Sequence, residues 1–275
     1  MKIRIEEKSN YKSVWIDGKT IRFAIDPLLP IKELEYPEFY DIKITGRCSL
    51  GRCNYCYMDS REDSSHYENA VEKLKNFFGS MNENQRPWQS ALGGGEPTEH
   101  PEFLEILKTI YDLGITPNYT TNGSFILSER KSDIIEYTKK YCGGVAVSCH
   151  QHLKEMWSEA ANILIENKIM TNFHIIISDK NSIDRFADIY ENWKNKIDYF
   201  VLLPQINKGR SKDALVDWGY LKSKLPANKN QIAFGANFYP YLKDDNVGCD
   251  LYEPEIMSKF LDLKDMKLYG SSFEI

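Results

Sequence analysis

The sequence has no run of about 18 apolar residues, and no N-terminal stretch in which positive charge gives way to an apolar segment. The first absence excludes a membrane-spanning helix by length, and the two together predict a soluble, cytoplasmic protein. Excess positive charge is lacking as well: 35 Lys and Arg against 40 Asp and Glu leave a net charge of −5. That balance gives no sign of a broad nucleic-acid-binding surface, while a local basic groove stays compatible with it, so nucleic acid is not excluded as a partner. No internal repeat and no low-complexity segment interrupts the chain. A paired-cysteine framework is missing too. Of 6 cysteines, Cys142, Cys149 and Cys249 are scattered and the other three are clustered, the pattern of a reduced enzyme and not of a disulfide-stapled domain.

What is there is a chain of 275 residues, 42% of them hydrophobic, long enough for one large α/β domain. Strand-like runs fall at about Tyr40–Ile44, Gln89–Leu92, Thr116–Thr120, Gly144–Ser148, Asn172–Ile177 and Tyr199–Leu203. Between them lie runs with helical spacing, such as Val71, Leu74, Phe77 and Phe78, and Phe186, Ile189, Tyr190 and Trp193. Strands and helices in alternation imply a parallel sheet. The N-terminus differs: Lys2–Glu6, Ser13–Ile16 and Thr20–Phe23 are short β-prone runs, with Asp17-Gly18 as a hairpin turn between the last two. Beyond Gln205 the pattern loosens, broken by Gly209, Pro226, Gly235, Pro240 and Gly248. The reading is therefore an α/β fold in three parts: a β-hairpin cap over 1–36, a core over 37–205, and a loop-rich C-terminal extension over 206–275 that closes the mouth of the core.

The densest chemical signal is Cys48, Cys53 and Cys56, three thiols within nine residues, with Tyr55 and Tyr57 beside the last. Three thiolates on one loop hold a metal or an iron–sulfur cluster and leave one coordination position open. His66, ten residues beyond Cys56, supplies the alternative of a closed zinc site with three cysteines and one histidine. One β/α unit later an apolar strand runs into Gly93-Gly94-Gly95-Glu96-Pro97-Thr98, where successive glycines let the backbone approach a ligand.

Taken in order, Ile44-Thr45-Gly46-Arg47-Cys48…Cys53-Asn54-Tyr55-Cys56-Tyr57, then Gly94-Gly95-Glu96-Pro97, Thr121-Asn122-Gly123 and Val147-Ser148, the sequence resembles the radical S-adenosylmethionine (SAM) superfamily over roughly residues 40 to 205. The resemblance implies a partial (β/α)6 barrel of parallel strands. It implies that Cys48, Cys53 and Cys56 ligate a [4Fe–4S] cluster whose free iron is chelated by SAM. It also implies that Tyr55 offers its backbone to the adenine, that Gly94, Gly95 and Glu96 meet the methionyl amine, and that Asn122 and Ser148 contact the methionyl carboxylate and ribose. The implied chemistry is reductive cleavage of SAM to a 5′-deoxyadenosyl radical, which takes a hydrogen atom from a peptide or small-molecule substrate, or alternatively from a nucleoside, nucleotide or base. A flavodoxin or ferredoxin is the implied electron donor. The triad departs from the family's commonest spacing: Ser49, Leu50, Gly51 and Arg52 put four residues where three are usual, which points to an atypical subgroup, with Gly51 available to absorb the extra residue through an unusual backbone angle.

Further residues are candidates beside plainer readings. Cys149 and Cys249 are candidate hydrogen-atom donors to a substrate radical, against a reading as buried hydrophobes. His150 is a candidate acid or base at a strand end. His100 and His174 read as structural. Gln205, Asn207, Lys208 and Arg210 follow the sixth strand; the two cations either hold an anionic group or sit on a solvated surface.

Overall fold

The computed structural model describes residues 2–16, 18–212, 214–242 and 254–274. The N-terminal runs form β1 (Lys2–Glu6), β2 (Tyr11–Ile16) and β3 (Lys19–Ala24), a three-stranded antiparallel sheet in the order β1-β2-β3. Ile16 pairs with Lys19, so the turn between β2 and β3 lies where it is expected; Asp17 itself is outside the described residues. This sheet packs on the end of the core where the strands begin. Trp15 meets Trp88 at 5.9 Å between ring centroids, and the Arg4 guanidinium lies 5.4 Å over the same indole.

The core alternates as its periodicity predicts. β4 (Phe39–Thr45), α1 (Ala70–Gly79), β5 (Gln89–Gly94), α2 (Phe103–Asp112), β6 (Thr116–Thr121), α3 (Lys131–Tyr141), β7 (Gly144–Ser148), α4 (Lys154–Glu166), β8 (Thr171–Ile177), α5 (Lys180–Trp193) and β9 (Tyr199–Pro204) follow in series. All neighbouring pairs from β4 to β9 are parallel. Along each strand the fully buried residues alternate with partly accessible ones. Ile42, Ile44, Leu92, Tyr119, Val145, Val147, Phe173, Ile175, Phe200 and Leu202 face the helices and are almost wholly removed from solvent. Burying side chains of this size stabilises by about 1.5–3 kcal/mol each, which fixes the strand register. The other face of the sheet is turned inward. Asp41 of β4 and Leu203 of β9, at opposite sides of the run, line the same cavity, so the sheet is curved into a partial barrel.

The C-terminal segment adds to this sheet. Besides α6 (Trp218–Lys224), it carries β10 (Ile232–Phe234), β11 (Ser258–Asp262) and β12 (Lys267–Tyr269), none of which shows in the sequence pattern. β10 extends the sheet parallel to β9, β11 runs parallel to β4 on the far edge, and β12 closes antiparallel on β11. The nine-stranded order is β10-β9-β8-β7-β6-β5-β4-β11-β12.

Candidate active site

The chain leaves β4 into a long loop that carries the three cysteines, and the loop is pinned by backbone bonds. The Cys48 N–H donates to the Arg61 carbonyl at 3.0 Å, and the Gly51 N–H to the Cys48 carbonyl at 2.9 Å. Gly51 is not in the left-handed region, contrary to the expected unusual angle. Its use is steric: a β-carbon there would lie 2.8 Å from the Cys48 carbonyl oxygen and 2.9 Å from that of Ser60. The extra residue is held from two sides. Glu99 accepts from the Ser49 N–H and hydroxyl. Arg210, far along the chain, donates to the carbonyls of Cys53, Gly51 and Ser60 and pairs with Asp59 at 2.8 Å. Arg210 is thus neither a free anion holder nor a solvated cation, and Lys208 is likewise occupied, donating to the Phe273 carbonyl.

The glycine-rich turn docks directly onto this loop. The N–H of Gly95 donates to the Thr45 carbonyl at 2.8 Å and that of Glu96 to the Arg47 carbonyl at 2.9 Å. Gly94 has φ +106°, and β-carbons on Gly94 and Gly95 would sit well inside contact distance of the Thr45 and Arg47 carbonyl oxygens. Only glycine fits both places. Glu96 is 1% exposed and spends both carboxylate oxygens on the protein. One accepts from the Thr98 N–H and hydroxyl and the Thr121 hydroxyl, the other from the Asn122 N–H at 2.8 Å. Burial lifts its carboxyl to about 7 although these donors oppose the rise. Glu96 therefore ties the end of β5 to the end of β6.

Cys48, Cys53, Cys56, Tyr55, Gly94, Gly95, Glu96, Asn122, Ser148 and Cys149 all line one cavity of about 420 Å³ at the C-terminal ends of the strands. The Asn122 amide donates to the Cys48 sulfur at 3.6 Å, while its oxygen accepts from the Ser124 N–H. Burial pushes the Cys48 thiol up to about 12, with the negative charges of Glu96 and Glu99 adding to the rise. Burial also raises the Cys53 thiol, and neighbouring Cys56 adds to this. Thiolate formation here needs a cationic partner to offset those effects. Tyr55 puts its hydroxyl 3.0 Å from Nδ1 of His150, and Nε2 of His152 lies 3.6 Å from the Cys53 sulfur. Burial, then His152 and Arg185, lowers His150 to about 4, so its imidazole is neutral at pH 7.

Cys149 is 3% exposed, belongs to the main core cluster and has a thiol held protonated by burial. Cys249 lies outside the described residues. His100 is structural as read: buried, with Nε2 on the Tyr67 carbonyl at 3.0 Å and Nδ1 accepting from the Glu102 N–H. His174 is not. It lines the cavity, burial lowers it to about 4, and among the described residues its ring has no hydrogen-bond partner. His66 bonds Thr45 Oγ1 at 2.9 Å, meets the His100 ring edge to face and does not line the cavity. The structure thus does not bring together the zinc site of three cysteines and His66. Sequence reading misses Asp41 and the holding roles of Glu99 and Arg210. Asp41 is the one with a visible signal, a carboxylate in the middle of a β-prone run.

The sequence model of the Radical SAM superfamily matches residues 42–203. The 7,8-dihydro-6-hydroxymethylpterin dimethyltransferase of Methanocaldococcus jannaschii is 24% identical over 73% of this chain and 35% of its own length. The PqqA peptide cyclase of Bradyrhizobium diazoefficiens is 30% identical over 34% of this chain and 24% of its own length. The chain thus spans about a third or less of these curated relatives. The crystal structure of Streptococcus suis SuiB bound to S-adenosylmethionine superposes with a TM-score of 0.66 at 14% identity, covering 87% of this chain and 61% of that one. With the family match running from the first barrel strand to the sixth, over more than half its length, the chain belongs to the radical SAM superfamily, whose members are enzymes that use a [4Fe–4S] cluster and S-adenosylmethionine.

Proposed function

We propose that Cys48, Cys53 and Cys56 each hold one iron of a [4Fe–4S] cluster, that SAM binds beside it, and that the enzyme acts on a peptide or small molecule entering the same cavity. The observation that carries this reading is the convergence of all three thiols with the strand-end residues Gly94, Gly95, Glu96, Asn122 and Ser148 on one cavity. The residues fit the group. A cluster asks for one thiolate at each of three separate corners with space between them, and the cavity supplies that space. A single ion would need its ligands to meet at one point, and among the described residues no three His, Cys, Asp or Glu side chains do so.

When bound, the reduced cluster supplies the electron that cleaves SAM to methionine and the hydrogen-abstracting 5′-deoxyadenosyl radical. The chain's part is to hold and orient. Gly94 and Gly95 bring the β5 end against the cysteine loop, and Glu96 fixes Asn122 under Cys48. Tyr55 and Ser148 line the region assigned to the nucleoside, and Cys149 stands beside Ser148 as the candidate hydrogen-atom donor. Residues 235–237, 258, 260 and 271–273 also line the cavity, which supports the C-terminal extension as the closure of the mouth. A peptide cyclase and a pterin dimethyltransferase among the relatives support a peptide or small-molecule substrate; the electron donor of this reading is a flavodoxin or ferredoxin.

The test is anaerobic. Protein reconstituted with iron and sulfide, reduced with dithionite and given SAM is analysed for 5′-deoxyadenosine by mass spectrometry, beside Cys53→Ala. Product in the wild type alone supports the reading. One zinc and no sulfide in the purified protein would overturn it.

A further inference from the structure

Among the described residues, Asp41 differs from the other charged side chains lining the cavity in having no partner. Glu96 accepts four hydrogen bonds, Arg210 grips the cysteine loop, and Arg185 donates to the Gln151 side chain and the Ile176 carbonyl. Asp41 stands on the inner face of β4, and among the described residues its carboxylate makes no hydrogen bond or ion pair. Lys43, two positions along the same face, is already paired with Asp262 at 3.4 Å.

Aromatic residues flank this carboxylate on its β11 side, while Ala91 of β5 stands opposite it on the other. Parallel register sets Asp41 opposite Phe260 of β11. Tyr57 is near enough for the Asp41 charge to add to the rise of its phenol, which burial drives to about 12. Phe273 rests on the Tyr57 ring at 5.4 Å between centroids. Phe260, Tyr57 and Phe273 all line the cavity with Asp41.

A carboxylate half-buried in a cavity wall and left without a donor is costly, and the group that offsets the cost best is a cation with hydrogens to donate. Aromatic faces beside it favour the same guest, since their quadrupoles attract an ammonium or guanidinium. An anion would be repelled, and an apolar group would leave the carboxylate unpaired. We propose that Asp41, with Tyr57 and Phe260, forms a substrate-recognition subsite that takes a cationic group, the ammonium or guanidinium of the substrate. The proposal rests on the reading of this cavity as the place where substrate meets the cluster and SAM. Burial raises the free Asp41 carboxyl to about 7, in keeping with a wall that lacks its counter-charge until ligand arrives.

The test uses isothermal titration of the reconstituted, SAM-loaded protein with three probes: Nα-acetyl-lysine methylamide, its isosteric norleucine counterpart, and butylammonium. The lysine probe is expected to bind at least about tenfold more tightly than the norleucine probe, the scale of one charge-assisted contact. Asp41→Asn is expected to bring the two to parity. Butylammonium binding as well as the lysine probe points to a free amine as the source, and weaker binding points to a peptide; either supports the subsite. Equal binding of lysine and norleucine probes to the wild type, including none, overturns it, as does a lysine preference that survives in Asp41→Asn. The wild-type comparison needs no variant to fold. Repeating it on protein without iron separates the two ideas: failure to hold a cluster sinks the proposed function, while the lysine–norleucine ratio still reports on Asp41.

Discussion

The side-chain amide of Asn122 donates to the sulfur of Cys48 at 3.6 Å, and the orientation of that amide is set by Ser124 on its oxygen and by Glu96 on its backbone N–H. Hydrogen bonds to cluster-ligating sulfurs stabilise the more negative, reduced state and raise the potential. Asn122→Leu removes this donor at similar volume. The midpoint potential of the reconstituted cluster is expected to fall by about 40 mV, the one-electron equivalent of about 1 kcal/mol. An EPR-monitored redox titration reads it, with iron content as the control. An unchanged potential with full iron would mean that Asn122 does not act on the cluster through Cys48.

Arg210 reaches across 150 residues or more to hold the cysteine loop. Truncation leaves the carbonyls of Gly51 and Ser60 without their side-chain donor, leaves that of Cys53 only the Cys56 N–H, and leaves the Asp59 carboxylate only Arg61. Arg210→Ala is expected to lose most of the iron on reconstitution. Arg210→Lys, which keeps the charge but not the fork of donors, should lie between. Iron and sulfide per chain, with the melting temperature to confirm folding, decide the matter; full iron in Arg210→Ala would show that the loop orders without it.

Gly95→Ala drives a β-carbon into the Arg47 carbonyl, whereas Gly79→Ala at the end of α1 meets nothing within 4 Å. The first is expected to destabilise by about 1–3 kcal/mol and to displace the cysteine loop. The second should be neutral or stabilise by up to about 1 kcal/mol. Thermal melts of both, with iron content, test whether the turn after β5 is a docking surface for the loop.

The six parallel strands are legible because each must bury one face under helices, and residues such as Ile42, Phe173 and Leu202 recur at every second position. β10, β11 and β12 are only three to five residues long and sit among turn residues, so no period can form. The cysteine triad and the strand-end motifs are local signals and are readable for that reason. The grip of Arg210 and the exclusion of His66 depend on residues distant in sequence meeting in space. His174 looks like an ordinary alternating strand position, and the carboxylate of Asp41 in a β-prone run says only that its position is unusual; the curvature of the sheet is what turns their face into a cavity wall.

That curvature has a consequence for stability. Burial raises the Asp41 carboxyl to about 7, while in the unfolded chain it titrates near ~4. Between those values the native state keeps a proton that the unfolded chain has released, so this group's contribution is full below about pH 4 and is lost as pH rises towards 7. Glu38 and Glu96, both raised to about 7, act in the same direction. His66, His150 and His174, each lowered to about 4, act oppositely: their contribution is present above about pH 6.5 and is lost as pH falls towards 4. The whole-protein profile mixes these opposing slopes, and a single substitution isolates one of them. Asp41→Asn removes the ionised, unpartnered carboxylate, so it is expected to raise the melting temperature at pH 8 and to leave it nearly unchanged at pH 4.5. An equal shift at both pH values would mean that Asp41 ionises as freely in the folded protein as in water, and the carboxylate would then have no need of a cationic guest.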